Sequence, residues 1–196
     1  LRRFPQIRIE VVPTGYSPEF FIPNENIDKE NIILTCGKID SYKRFIIKGI
    51  DLFCATAKLL PQYTFVILDI TPEMQKLINP IPKNLKLFEM LSQKKVVEFY
   101  RKAKVYAQLS LREGFPNSVC EAMLCECVPV GTDAGAMKEI IGDAGFLLKS
   151  REVLEIVEMI EKAINSPVSL GKKARKRIME NFTMERRKEK LYKIIS

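Results

Sequence analysis

The chain has 196 residues, 46% of them hydrophobic and 29% charged, with a formal net charge of +8. That is enough chain for one well-filled core or two small ones, with the composition of a globular domain and not of a disordered or fibrous one. No apolar run approaches the roughly 20 residues of a membrane span, and five cysteines without paired C-x-x-C spacing, in a sequence with no histidine, argue against a disulfide framework and against a structural zinc site.

The opening stretch has no continuous apolar segment of the kind a signal peptide needs, and its start without Met reads as a fragment boundary. Ile7 to Val12 reads as a short strand, followed by Pro13-Thr14-Gly15 and a polar, proline-bearing linker. Asn31 to Cys36 is an apolar run ended by Gly37, as a buried parallel strand would be. Phe45 to Leu60 carries helical apolar spacing and stops at Pro61. Thr64 to Leu68 is a second buried strand, with Pro72 near the start of a short helix, and Leu85 to Phe88 a third. Gln93 to Lys104 predicts an amphipathic helix with Val96, Val97, Phe99, Tyr100 and Ala103 on its inner side. Val105 to Leu109 is a fourth strand, Ser118 to Cys127 a helix, Val128 to Gly131 a fifth strand and Gly145 to Leu148 a short edge strand. The remainder predicts helices over about 151–165, 169–181 and 183–195.

Strands alternating with helices imply an α/β fold: a Rossmann-like parallel sheet with helices on both faces. Residues 1–30 read as an entry strand and linker from a preceding N-terminal domain, 31–181 as the Rossmann-like domain and 182–196 as a C-terminal helix. Ligands of such sheets bind at the carboxyl ends of the strands, where strand order reverses. Cys36, Cys54, Cys120, Cys125 and Cys127 read as buried reduced thiols. That implies a reducing compartment, most simply the cytoplasm.

The segment Arg112-Glu113-Gly114-Phe115-Pro116-Asn117-Ser118-Val119-Cys120-Glu121 carries the chemistry. Ser118 and Glu121 are spaced as a capping box, which starts a helix there. The free N–H groups of its first turn and the positive end of its dipole form an anion site. Gly114 lets a ligand approach the backbone. Many α/β loops share these features, so the two carboxylates decide. A carboxylate beside a phosphate site repels phosphate and makes sense chiefly if it faces neutral hydroxyls, which it accepts from strongly. Glu113 and Glu121 flanking an anion cradle suit a ligand with a sugar on either side of a diphosphate. The bland readings are that Glu121 only closes the capping box and that Glu113 is a solvated loop charge.

Glu113-Gly114-Phe115-Pro116 with Glu121-Ala122-Met123 resembles the E-x7-E signature of retaining glycosyltransferases of the GT-B fold, the large family-4 group. Four further segments resemble that family in the right order: Val12 to Phe21, Cys36-Gly37-Lys38 with Lys48-Gly49-Ile50-Asp51, Val130 to Glu139, and Phe182 to Tyr192. The resemblance implies one half of a GT-B fold, which binds a nucleoside diphosphate sugar of UDP or GDP type. It implies that Glu121 holds the ribose hydroxyls and Glu113 the hydroxyls of the transferred sugar. Phe115, Pro116, Asn117, Ser118 and Val119 meet sugar and phosphate, with the N–H groups of the last three as donors. Lys48 neutralises the departing diphosphate, with Lys38 where the family usually carries Arg. The base rests near Glu89, Met90 and Leu91.

The stretch from Lys38 to Lys48 is longer than usual in the family, so Lys43 or Arg44 can replace either cation. Ala136 stands where a second Gly is common, which narrows the room beside the sugar. No cofactor and no metal is expected, because lysines and a helix tip supply the positive charge. The acceptor is expected on the N-terminal domain, leaving the isolated chain nearly inactive.

Two other classes stay open. One is a GT-B-like epimerase or phosphorylase. The other is a basic module for nucleic acid or an anionic membrane surface, resting on Lys172, Lys173, Arg175, Lys176 and Arg177. The transferase reading expects no nucleic-acid partner, while peripheral contact with the inner membrane face stays open. The bland reading of the basic run is one solvated helix face.

Overall fold

The computed structural model describes residues 10–24 and 28–195. Six strands form one parallel sheet: β1 (Glu30–Ile39), β2 (Thr64–Ile70), β3 (Leu85–Phe88), β4 (Ala103–Gln108), β5 (Val128–Thr132) and β6 (Phe146–Leu148). Their order across the sheet is β3-β2-β1-β4-β5-β6, so the winding reverses between β1 and β4. Successive residues on each strand enter opposite cores, as the period of two requires. Leu34, Val66, Leu68 and Tyr106 face one core, while Ile33, Phe65, Ile67, Val105 and Ala107 face the other. Burial on both sides is why the strands read as nearly unbroken apolar runs.

The helices are α1 (Tyr42–Ile47), α2 (Ile50–Leu59), α3 (Pro72–Gln75), α4 (Gln93–Lys102), α5 (Asn117–Leu124), α6 (Met137–Ile141), α7 (Val153–Ile164), α8 (Val168–Asn181) and α9 (Met184–Ile195). Phe53, Ala57, Ile156 and Ile160 of α2 and α7 close one core, and Tyr100, Val119 and Ile178 of α4, α5 and α8 close the other. Among the described residues no helix is long and apolar enough to cross a membrane.

Two expected elements differ from those observed. The helix expected from Phe45 to Leu60 is two helices, α1 and α2, broken at Lys48 and Gly49. Gly49 has φ 68°, and a Cβ there would lie 2.3 Å from the carbonyl oxygen of Leu109, so the chain can pass β4 so closely only with glycine. Of the strand expected from Ile7 to Val12, residues 7–9 lie outside the described residues, and Glu10, Val11 and Val12 have no strand structure.

The entry segment runs beside the end of the chain. Tyr16 forms a parallel bridge with Thr183, and its N–H donates to the Phe182 carbonyl at 2.9 Å. Arg187 of α9 donates to the Pro13 carbonyl at 2.8 Å. These contacts bring residues 13–16 to the tip of α5, where the Tyr16 hydroxyl donates to Asn117 Oδ1 at 2.7 Å.

Candidate functional site

A cleft of about 450 Å3 opens at the carboxyl edge of the sheet, at the reversal between β1 and β4. Its size lies within the range of ligand pockets. Gly37 of β1, Lys48 between α1 and α2, Leu91 after β3, Glu113 after β4, and Asn117 and Glu121 of α5 line it.

Helix α5 presents its N-terminus to this cleft. Pro116, with φ −75°, is the capping residue and offers no side-chain acceptor. The Val119 N–H donates to the Pro116 carbonyl at 3.2 Å. Those of Asn117 and Ser118 meet no acceptor among the described residues, as the first amides of a helix do. The capping box does not form. Ser118 sits within the first turn with its hydroxyl facing that of Tyr106, and Glu121 Oε2 accepts from the Tyr100 hydroxyl at 3.3 Å.

Glu113 is held by three donors on a single oxygen. Its Oε1 accepts from Lys48 Nζ at 2.6 Å, Ser110 Oγ at 2.7 Å and Gln108 Nε2 at 2.8 Å. Gln108 and Ser110 are buried. The Glu113 loop is also clamped from β5. The Ala136 N–H donates to the Gly114 carbonyl at 3.0 Å, and Gly135, at φ 59°, lies so close that a Cβ would stand 2.2 Å from the Glu113 carbonyl oxygen.

Glu121 lines the cleft from the second turn of α5. Burial raises its carboxyl pKa above the ordinary carboxylate range, against the lowering effect of the Tyr100 hydroxyl. Burial, together with the nearby Glu121 charge, pushes the pKa of the Cys36 thiol, which lines the cleft, up to about 12. Burial likewise lifts the Tyr100 phenol well above its usual value, leaving it a hydrogen-bond donor to Glu121. Among the described residues no three His, Cys, Asp or Glu side chains are grouped as a metal site.

Of the residues singled out in the sequence, Glu113, Lys48, Phe115, Pro116, Asn117, Ser118, Glu121 and Leu91 lie together on this cleft. Lys38, Met90 and Val119 do not line it. Lys38 has a side chain 70% exposed and pairs loosely with Asp40 at 3.6 Å, because the last residues of β1 point it out to solvent. Arg44 is taken by the same carboxylate at 2.7 Å, and Lys43 is exposed, so Lys48 is the cation of that stretch which lines the cleft. Met90 is 82% exposed. Val119 is fully buried on the inner face of α5, and its amide is used within the helix. Ala136 does not line the cleft and packs against the core beside it.

In the sequence, Tyr106, Gln108 and Ser110 are not read as site residues, and Gln93, Val96 and Tyr100 are placed on a helix and Tyr16 in the entry segment without a place in the site. For the first three a signal exists. They fall two apart along β4 and its extension, which places them on one face. Polar groups at the end of an otherwise apolar strand need partners there. For Tyr16, no local pattern marks a side chain that meets its partner 101 residues away.

The family model described as glycosyl transferases group 1 matches residues 17–183. A probable sucrose-phosphate synthase of Thermosipho melanesiensis is 26% identical, over 93% of this chain and 46% of its own length. Among solved structures, sucrose-phosphate synthase from Thermosynechococcus elongatus matches with a TM-score of 0.82 at 19% identity, covering 95% of this chain and 51% of that one. HepE of Anabaena, solved in complex with UDP-glucose, matches with a TM-score of 0.80 at 15% identity, over 95% and 57% of the two chains. The chain thus spans about half the length of these relatives.

Proposed function

The chain belongs to the glycosyl transferases group 1 family, and on that premise we propose that it is the donor-binding half of a retaining glycosyltransferase, which moves a sugar from a nucleoside diphosphate sugar to an acceptor. Its sheet is the Rossmann-like half of a GT-B fold. One observation carries the reading: Lys48, Glu113, Glu121 and the amides of Asn117 and Ser118, which have no acceptor among the described residues, converge on a single cleft.

The diphosphate lies against the tip of α5, where two N–H groups and the helix dipole meet its charge. Lys48 adds a full positive charge on the same side. As the bond to the sugar breaks, charge grows on the diphosphate, and these fixed donors stabilise it more than they stabilise the bound donor. Glu121 accepts from the ribose hydroxyls, which add to the one donor, Tyr100, that its half-buried carboxylate finds among the described residues. Glu113 accepts from the transferred sugar through Oε2, the oxygen that none of the described residues occupies. The acceptor, and the residues that bind it, belong to the other half of such an enzyme.

The test is a thermal-shift and titration panel of uridine and guanosine diphosphates and their sugars. A donor bound by the native state raises stability with concentration. We expect one base to stabilise the chain and Glu121→Ala to abolish the effect. Stabilisation that survives Glu121→Ala, or none from any of these ligands, overturns the reading. Efficient sugar transfer by the chain alone would contradict the half-enzyme part of it, and proton NMR of the product's anomeric centre tests retention.

A further inference from the structure

We propose that Gln108, together with Ser110, is a positioning residue for the transferred sugar: the pair immobilises Glu113 and turns one of its carboxylate oxygens toward the sugar hydroxyls. This rests on the donor-site reading above and adds to it residues that do not touch the donor.

The geometry is directional at every step. Both amide protons of Gln108 are used, one toward Ser110 Oγ at 2.7 Å and one toward Glu113 Oε1 at 2.8 Å. Its carbonyl oxygen Oε1 lies 3.1 Å from the Tyr106 hydroxyl, whose one proton it shares with the Cys36 carbonyl, also at 3.1 Å. The reversed amide would set its oxygen against the Glu113 carboxylate, oxygen against oxygen at 2.8 Å. Only the observed orientation gives Glu113 a donor from Gln108. Ser110 accepts from Gln108 and donates its own O–H to Glu113. Tyr106 is anchored to β1, since the Cys36 N–H donates to its hydroxyl at 3.2 Å. The chain of bonds therefore runs from the backbone of β1 through the core of β4 to the rim of the cleft.

Gln108 and Ser110 are 1% and 0% exposed, so water cannot replace a lost partner cheaply. A carboxylate oxygen offers about two lone-pair directions. With Lys48, Ser110 and Gln108 all on Oε1, that oxygen is saturated, and a ligand hydroxyl finds acceptor capacity on Oε2. A glutamate so held selects one placement of the sugar ring. Fixing a reacting group to a fraction of an ångström is what makes such placement effective.

The experiment is calorimetric titration of the whole chain, unaltered and as Gln108→Met or Ser110→Ala. Two ligands are compared: the UDP- or GDP-sugar that binds the unaltered chain most tightly in a panel of both, and the matching nucleoside diphosphate. We expect Gln108→Met to weaken the nucleotide sugar about tenfold, as loss of one hydrogen bond to a charged group implies. The nucleoside diphosphate should stay within about twofold on the same warrant, since it does not reach Glu113. Ser110→Ala should show the same selectivity with a smaller loss. If Gln108→Met shows no cooperative unfolding, the selectivity of Ser110→Ala decides. Equal weakening of both ligands, or no change in either, overturns the inference while leaving the donor-site reading intact. An unaltered chain that binds neither ligand overturns both.

Discussion

Lys48 and Glu113, 65 residues apart in the sequence, meet in an ion pair of 2.6 Å at the mouth of the cleft. The lysine brings one of its three protons to the glutamate, which leaves two for a ligand oxygen. The pair therefore joins the part of the site expected to face phosphate to the part expected to face sugar.

Opposite losses follow from the two partners. Lys48→Met should weaken nucleoside diphosphate and nucleotide sugar alike, about tenfold each, as loss of a charge-assisted contact does. In the assembled enzyme it should lower kcat by roughly a hundredfold or more, the scale for removing a donor to a developing charge. Glu113→Gln should spare the diphosphate and weaken only the sugar. If Lys48→Met spares the diphosphate, the lysine serves Glu113 alone.

Glu121 sets a pH dependence whose sign is fixed by burial. Its folded pKa lies above the ordinary value of 4.5. Between the two values the native state holds the proton more tightly than the unfolded chain, so stability falls as pH rises through that window and stays lower above it. Glu121→Gln should accordingly raise the Tm at neutral pH, and the gain should vanish below the ordinary carboxyl range. Melting curves across pH check this, and a loss of Tm at neutral pH would contradict it.

Gly49 permits the turn that delivers Lys48. With φ 68° and a would-be Cβ 2.3 Å from the Leu109 carbonyl oxygen, Gly49→Ala combines a left-handed strain with a backbone clash. We expect about 2–4 kcal/mol of destabilisation in urea. The hydrogen bond of 2.7 Å from the Leu111 N–H to the Ile47 carbonyl should loosen with it, shifting Lys48 and weakening diphosphate binding. A variant of unchanged midpoint would refute the account.

The basic run on α8 divides into anchors and surface charges. Arg175 donates to the carbonyls of Phe21 and Leu124, and Arg177 to those of Ile140 and Glu139. Lys172 is exposed. Arg175→Met should destabilise the fold by roughly 2–3 kcal/mol, since it leaves carbonyls without donors. Lys172→Ala should be neutral within about 0.5 kcal/mol. A polyanion-binding module would instead show steep salt dependence and loss of binding on Lys172→Ala. Filter binding against salt separates the two.

Much of the fold was legible because burial leaves local periodic traces. Leu85 to Phe88 forms the expected strand, and the other strands and long helices lie within a few residues of their apolar runs. The misses have local causes too. The break at Gly49 was hidden because the apolar spacing continues across it. The capping box at Ser118 failed because the helix begins at Asn117 with Pro116 as its cap, which puts Ser118 inside the first turn, where it cannot cap.

At the site, residue types were readable and partners were not. Glu113, Glu121 and the helix between them are close in sequence, so their spacing already states their relation. Lys38, Lys43, Arg44 and Lys48 looked equivalent as charges, yet Asp40 holds two of them at the surface and the turn at Gly49 sends Lys48 inward.

The alternation of strands and helices, and the loop and helix that carry Glu113 and Glu121, are written in the chain alone, because each depends on neighbours a few residues apart. It took the packed core to place β1 beside β4, to bring the Cys36 N–H to the Tyr106 hydroxyl, and to deliver Lys48 to Glu113. Hydrogen-bond partners brought together across a parallel sheet are fixed by strand order, and strand order is a property of the packed core, with no local trace in the chain.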